Sequence, residues 1–221
     1  RVNSQVVNEY NCYTLLQGHE SIPEVYGMFM YKDQRVLAME KLGPSLESVF
    51  RKCNKHFSLR TTLMIADQIF RVVEFIHRCG VIHRDIKPHN FIFGTGQKSR
   101  KVYIIDFGLS MHFIDEKTKE NKVYATSKGL VGTPHYVSLG VHLGNQQSQR
   151  DDLESIAYVL VRFLKGSLPW QSIKLHDPQE RNEEIGRMKM GTSVETLCSD
   201  IPEEFCSFLT YVRQLKYGDK P

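Results

Sequence analysis

The chain has 221 residues, of which 41% are hydrophobic and 24% charged, with a formal net charge of +4. That apolar share with so small a net charge excludes a wholly disordered chain; 15 Gly and 8 Pro without a short repeat exclude a collagen-like or low-complexity one. No run approaches the ~18 uncharged apolar residues of a membrane span, and the most apolar stretch, 156–164, is short and carries Arg162. No Lys/Arg block of nucleic-acid type occurs, so no nucleic-acid partner is expected. The five Cys are odd in number and never form a CxxC pair. This argues against a disulfide framework or zinc site and for an intracellular, reducing compartment, cytoplasmic or nuclear.

Residues 3–17 read as a helix, with Val6, Tyr10, Tyr13 and Leu16 on one face and Gly18 as its stop. Two apolar runs, 25–30 and 36–39, split by Lys32-Asp33-Gln34, read as a β-hairpin. Gly43-Pro44 breaks the chain and marks a boundary between a small unit, 1–42, and a larger one, 43–221. A long helix is expected from the N-cap Ser58 to Gly80, burying Leu63, Ala66, Ile69, Phe70, Val73 and Ile76. Short strands follow at 91–93 and 102–105, with a turn at Gly94-Thr95-Gly96. Gly94 to Ser99 fits neither the Walker nor the GxGxxG spacing, so it reads as a turn rather than a phosphate loop. From Asp106 to about Leu143 periodicity is lost, as in a functional or disordered loop. A helix apolar nearly all round, 151–165, is expected in the middle of the domain. Weaker helical patterns cover 178–190 and 203–215. Asp151 reads as a helix-start acid favoured by the dipole, and the five Cys as small buried hydrophobes.

The strongest signal is His83-Arg84-Asp85-Ile86-Lys87-Pro88-His89-Asn90, followed twenty-one residues after Asp85 by Asp106-Phe107-Gly108 at the end of an apolar strand. The pair, in this order and setting, resembles the catalytic loop and metal-binding triplet of protein kinases. Phosphoryl transfer needs positioning and charge stabilisation more than covalent chemistry. Asp85 would take or orient the proton of the attacking hydroxyl, and Lys87 would steady the transferring phosphate. Asn90 and Asp106 are oxygen ligands of the kind Mg²⁺ takes. His83, His77 and His89, six apart, fit no metal motif, and His83 is expected to pack under the Asp-Phe-Gly turn.

The strings Leu42-Gly43-Pro44-Ser45-Leu46-Glu47, Gly132-Thr133 with Tyr136, His142-Leu143-Gly144, Arg150-Asp151-Asp152-Leu153-Glu154-Ser155 and Gly166-Ser167-Leu168-Pro169-Trp170-Gln171 resemble the casein kinase 1 family of Ser/Thr protein kinases, nearly end to end. The resemblance implies an α+β, two-lobe kinase fold with a partial β-rich N-lobe over 1–42 and a mostly helical C-lobe over 43–221. It implies ATP and Mg²⁺ as cofactors and proteins bearing Ser or Thr as substrates. Met39 would be the gatekeeper beside the adenine, and the backbone of Glu40 to Leu42 would bond its edge. Glu9 would pair with an ATP-binding Lys, Asp152 would anchor the catalytic loop, and Thr133 would support Asp85 and Lys87.

The departures are specific. The Gly-rich loop and ATP-binding Lys that the resemblance places upstream of Glu9 have no counterpart in these residues, so weak ATP binding is expected of them alone. The Ala-Pro-Glu triplet of most kinases is missing, as in the casein kinase 1 family. His89 stands where that family has an acid, and Ala157 where it has a Gly. Pro134-His135 replaces a small residue and an Arg that binds a priming phosphate together with a Gly and a Lys matched by Gly166 and Lys174. A phosphate site at His135, Gly166 and Lys174 would therefore be weak and pH-dependent. Thr118, Tyr124, Thr126 and Ser127 offer regulatory hydroxyls. The rival reading is an inert pseudokinase acting as a binding or scaffold module, against which the intact Asp85, Lys87, Asn90 and Asp106 argue.

Overall fold

The computed structural model describes residues 2–114 and 129–221, apart from the side chains of Val2 and Asn3; Thr118, Tyr124, Thr126 and Ser127 lie outside the described residues. The chain begins with α1 (Val2–Leu16), then an antiparallel hairpin of β1 (Val25–Tyr31) and β2 (Gln34–Met39) against which α1 packs. Tyr31 pairs with Gln34, leaving Lys32 and Asp33 as a two-residue turn. Both have positive φ, 46° and 61°, as a turn matched to the strand twist requires. Cys12, Tyr13 and Leu16 are the buried face of α1.

Gly43 joins the hairpin to the helical body. Its N–H donates to the Phe93 carbonyl at 2.7 Å, and Phe93 N–H returns a bond to Pro44 at 2.9 Å. A Cβ at 43 would sit 2.7 Å from the Gly94 carbonyl oxygen, so only glycine lets these two strands of chain meet. Next come α2 (Leu46–Lys52), capped by Ser45, and α3 (Leu59–Arg78), capped by Ser58 Oγ accepting from Thr61 N–H at 3.2 Å. The chain then passes through β3 (Val81–Ile82), β4 (Phe91–Phe93), β5 (Val102–Ile104) and β6 (Met111–His112). β4 pairs with β5 and β3 with β6, both antiparallel. After α4 (Leu139–His142) comes α5 (Gln149–Lys165), then α6 (Pro178–Gly191), α7 (Val194–Leu197) and α8 (Glu203–Gln214). Helix α5 is the centre of the core: α3 and α8 pack on it, and nearly every residue from Asp151 to Leu164 is buried.

Several expectations need correction. Leu63 lies on the periodic face of α3 yet is half exposed, because that edge opens onto an apolar groove with Phe205 and Phe208 instead of the core. Cys53 is exposed at the end of α2, and Cys79 and Cys206 are only partly buried; all five thiols are free. Asp151 is a helix-start acid, as expected, in the first turn of α5, but it does more than face the dipole. It is buried, bonds Ser138 Oγ, and accepts from Ser148 N–H at 2.7 Å, while burial pushes its pKa up to about 6. The short elements α2, β3, β6, α4 and α7 were not readable from periodicity. The turn at 94–96 continues into a 3₁₀ turn, Gly96–Lys98.

Candidate active site

The loop between β3 and β4 carries the sequence-predicted residues, and it is hung from α5. Asp152, buried in the first turns of that helix, accepts from His83 N–H at 2.8 Å, Arg84 N–H at 2.9 Å and His77 Nε2 at 2.9 Å. Burial alone would raise its pKa, but these donors hold the carboxyl below its usual range. Arg84 takes a left-handed φ of 66°, a conformation costly for a side-chain-bearing residue and held here by Asp152 and by its own Nε bond to the Leu109 carbonyl at 2.6 Å. His83 is fully buried, with its ring edge-on to Phe107 at 5.1 Å. Its Nδ1 accepts from Asp85 N–H at 3.3 Å, and Nε2 faces the Ile105 carbonyl at 3.1 Å, which fixes the Nε2–H tautomer.

Three of the candidates converge on the carboxylate of a fourth, Asp85. Thr133 Oγ1 donates to Asp85 Oδ1 at 2.6 Å, and Lys87 Nζ donates to Asp85 Oδ2 at 2.5 Å and to Thr133 Oγ1 at 3.3 Å. Asn90 Nδ2 donates to the Asp85 carbonyl at 2.9 Å and lies 3.4 Å from Oδ2. Thr133 reaches the loop because Gly132, at φ 109°, precedes it; a Cβ there would stand 2.5 Å from the Arg84 carbonyl oxygen. The arrangement fixes the orientation of the Asp85 carboxyl beside the Lys87 ammonium.

Asn90 and Asp106 are brought side by side by the β4–β5 pair, where Ile105 N–H donates to the Asn90 carbonyl at 2.9 Å. The Asn90 amide nitrogen is spent on Asp85, so its Oδ1 is the atom left to face a cation. Among the described residues no cluster of three or more His, Cys, Asp or Glu forms a protein-only metal cage. A donor set of one carboxylate and one amide suits Mg²⁺, which keeps several waters and is completed by substrate phosphates. Asp106 has a left-handed φ of 69°. Its N–H donates to Tyr13 OH at 3.2 Å, and Tyr13 packs edge-on against Phe107 with ring centroids 4.9 Å apart. Asn8 Nδ2 donates to the Phe107 and Ser110 carbonyls at 3.2 and 3.0 Å. Glu9, on the same helix, is pushed up to about 7 by burial and by the Asp106 charge, partly offset by a backbone hydrogen bond at Phe107.

The remaining candidates lie apart. Met39, at the end of β2, packs on the core. Glu40 N–H is already bonded to the Glu24 carbonyl at 2.7 Å, and its carboxylate meets Lys98 at 3.1 Å. An edge-on ligand would therefore find the Glu40 carbonyl and the Leu42 backbone. Gly166 ends α5 at φ 89°, and Lys174 is exposed. Among the described residues no hydrogen bond or ion pair joins His135, Gly166 and Lys174. Burial, aided by the charges of Lys189, Arg181 and Arg162, lowers the His135 pKa, so its ring stays neutral and suits a phosphate poorly.

Sequence reasoning missed Tyr13, Asn8 and His77 as supports. Their only sequence signal was the face of α1 and the last turn of α3. It also missed a buried ion pair, in which Arg162 of α5 meets Glu47 of α2 at 2.5 and 3.0 Å. Cavities of about 640, 500 and 760 Å³ lie elsewhere, and none is lined by Asp85, Lys87, Asn90 or Asp106. Side-chain convergence, not cavity size, locates the chemistry. The protein kinase domain family matches residues 1–217, all but four residues of the chain, with the Asp85 and Asp106 constellations inside the match; the chain belongs to the protein kinase domain family.

Proposed function

We propose that the chain is a Ser/Thr protein kinase of the casein kinase 1 type, transferring the ATP γ-phosphoryl group to Ser or Thr of protein substrates. Protein kinase domains generally use ATP and Mg²⁺. The observation that carries the reading is the Asp85 carboxylate held at once by Thr133, Lys87 and Asn90. In this reading Asp85 orients and takes the proton of the substrate hydroxyl, and Lys87 steadies charge on the phosphoryl oxygens. Asn90 and Asp106 would hold Mg²⁺, which supplies charge neutralisation at the phosphates. Met39, Glu40 and Leu42 border the adenine, and Glu9 faces the phosphate end from α1. The N-lobe is residues 1–42 and the C-lobe 43–221. A Lys two residues after Asp85 favours Ser/Thr over Tyr. Neutral His135 makes a priming phosphate at His135, Gly166 and Lys174 a minor aid that grows as pH falls through the His range.

The test is transfer of labelled phosphate from Mg-ATP to casein, with Asp106→Asn beside the wild type and phosphoamino-acid analysis of the product. Label on Ser or Thr that disappears in the variant supports the reading. Label on Tyr would overturn the substrate class. No transfer from folded protein would leave the pseudokinase scaffold as the function.

A further inference from the structure

Lys189, in the last turn of α6, is the only lysine buried among the described residues. Its Nζ donates to the carbonyls of Pro134 at 2.8 Å and Val137 at 2.6 Å. The same atom stands 4.8 Å from the Tyr158 ring centroid and 5.1 Å from that of Trp170. Two neighbours hold the same stretch of backbone. His142 Nε2 lies 3.3 Å from the Pro134 carbonyl, and Trp170 Nε1 donates to the His135 carbonyl at 2.8 Å. The carbonyls of 134, 135 and 137 are thus all bound from below, while Thr133, one residue earlier, meets Asp85 from above.

A buried ammonium is costly unless its protons are satisfied. Lys189 has no ion pair among the described residues. Glu154, the acid whose charge it feels, is engaged by Tyr158 OH at 2.5 Å, by Leu139 N–H at 3.1 Å and by Arg213 at 3.6 Å. An apolar residue would fill the same space at lower cost, so stability alone does not account for a charge here. The two carbonyls it grips do. We propose that Lys189 is a positioning residue for phosphoryl transfer: it fixes the backbone of 134–137 so that Thr133 is presented to Asp85. The inference rests on the kinase reading above.

Groups facing Lys189 come from every element around it: Glu154 and Tyr158 of α5, Arg213 of α8, His142 of α4, Trp170 of the 169–172 turn, and His135 of the held segment. Burial pulls Lys189 down to about 7, while the two carbonyls and two ring faces favour its charged form. His142 is driven to about 4 and stays neutral across the working range. The hold is therefore strongest at low pH and loosens as Lys189 loses its proton.

Trp170 is the only tryptophan in the chain, so its emission reports on this site. The experiment compares wild type with Lys189→Met, which keeps the stem and removes the charge. Wild-type emission is expected to change between pH 6 and 10, and this change is expected to be lost in the variant. Amide exchange at 135–137 should be about tenfold faster in the variant with α3 unchanged, and kcat about tenfold lower with KM for ATP within about twofold. A variant with wild-type exchange at 135–137, the same emission profile and the same kcat would overturn the proposal. Should Lys189→Met fail to fold, Lys189→Leu is read in the same way: wild-type exchange at 135–137 and wild-type kcat overturn the proposal, and faster exchange there with lower kcat supports it. Absence of transfer in the wild type sinks the kinase reading, whereas the exchange and emission arms still judge the hold on 134–137.

Discussion

Thr133→Val tests the arrangement at Asp85 most directly. The substitution keeps the shape of the side chain and removes the hydroxyl that donates to Asp85 Oδ1 at 2.6 Å and accepts from Lys87 at 3.3 Å. A hydrogen bond to an ionised group contributes about 1.5–3 kcal/mol, and at about 1.36 kcal/mol per decade of rate this is a loss of about ten- to a hundredfold in kcat. Asp85 keeps Lys87 and Asn90 as partners, so the lower half of that range is expected. The KM for ATP should be unchanged, because Thr133 touches neither Met39–Leu42 nor Asp106. Thr133→Ser should restore most of the rate, since it restores the donor. The assay is initial-rate kinetics on a protein substrate with ATP and substrate varied separately, beside a thermal melt to show the variant folded. A kcat within about threefold of wild type would refute the reasoning. So would a KM for ATP that rises as much as kcat falls, since the loss would then lie in nucleotide binding.

Asp152→Asn should destabilise the chain by about 3 kcal/mol, because one of the three buried donors facing the carboxylate would meet an amide N–H instead. Asp152 is held below the usual 3.8, so its stabilisation is fully present above that pH and is lost as pH falls through the lower folded value; urea titrations from pH 7 downward should show the deficit shrinking in acid. Glu9→Gln should act in the opposite sense. Glu9 is raised from 4.5 to about 7, so the folded state binds the extra proton between those values, and wild-type stability falls as pH rises through that window. The variant should melt higher than wild type at pH 8 and level with it at pH 4, which calorimetry would show. Arg162→Met should cost about 3–5 kcal/mol by leaving Glu47 buried with only Arg51, whose side chain is largely exposed, and adding Glu47→Gln should recover most of the loss in a double-mutant cycle.

The long periodic elements could be read from the sequence because their signals are local. α3 has Ser58 at one end and Gly80, at φ 77°, just past the other, and the hairpin has a two-residue polar turn. The candidate site was legible for a different reason: Asp85, Lys87 and Asn90 occupy one loop, and Asp106 follows β5 a few residues on. What escaped was either too short for a period, as in the two-residue strands β3 and β6, or dependent on partners far along the chain. Arg162 looked like an interruption of an apolar run until Glu47, 115 residues earlier, was found beside it. Lys189 sits among Arg187 and the acids of α6, a pattern that reads as a solvated face; only the fold turns it inward beneath residues 134–137. Leu63 obeys the helical spacing and is still exposed, because spacing identifies a face but not how far the neighbouring helix covers it.

The position of α1 follows from Tyr13, on its buried face, together with the polar residues Asn8 and Glu9. Tyr13, Asn8 and Glu9 all engage the 106–110 segment: Tyr13 through the Asp106 N–H and the Phe107 ring, Asn8 through the Phe107 and Ser110 carbonyls, Glu9 through its proximity to Asp106. The first two are attractive and neutral, so they hold at any pH. The third is repulsive, since two carboxylates share a half-buried site and one is driven toward protonation. The neutral contacts thus keep in place a pair of acids that would otherwise part. A cation brought between them would reverse the sign of that interaction, lowering the Glu9 pKa and releasing its proton near neutral pH. In the kinase reading, with a cation at Asp106, helix, turn and cation would be energetically linked: whatever loosened Tyr13 or Asn8 would weaken cation binding, and the cation would tighten α1 against the turn by the same free energy.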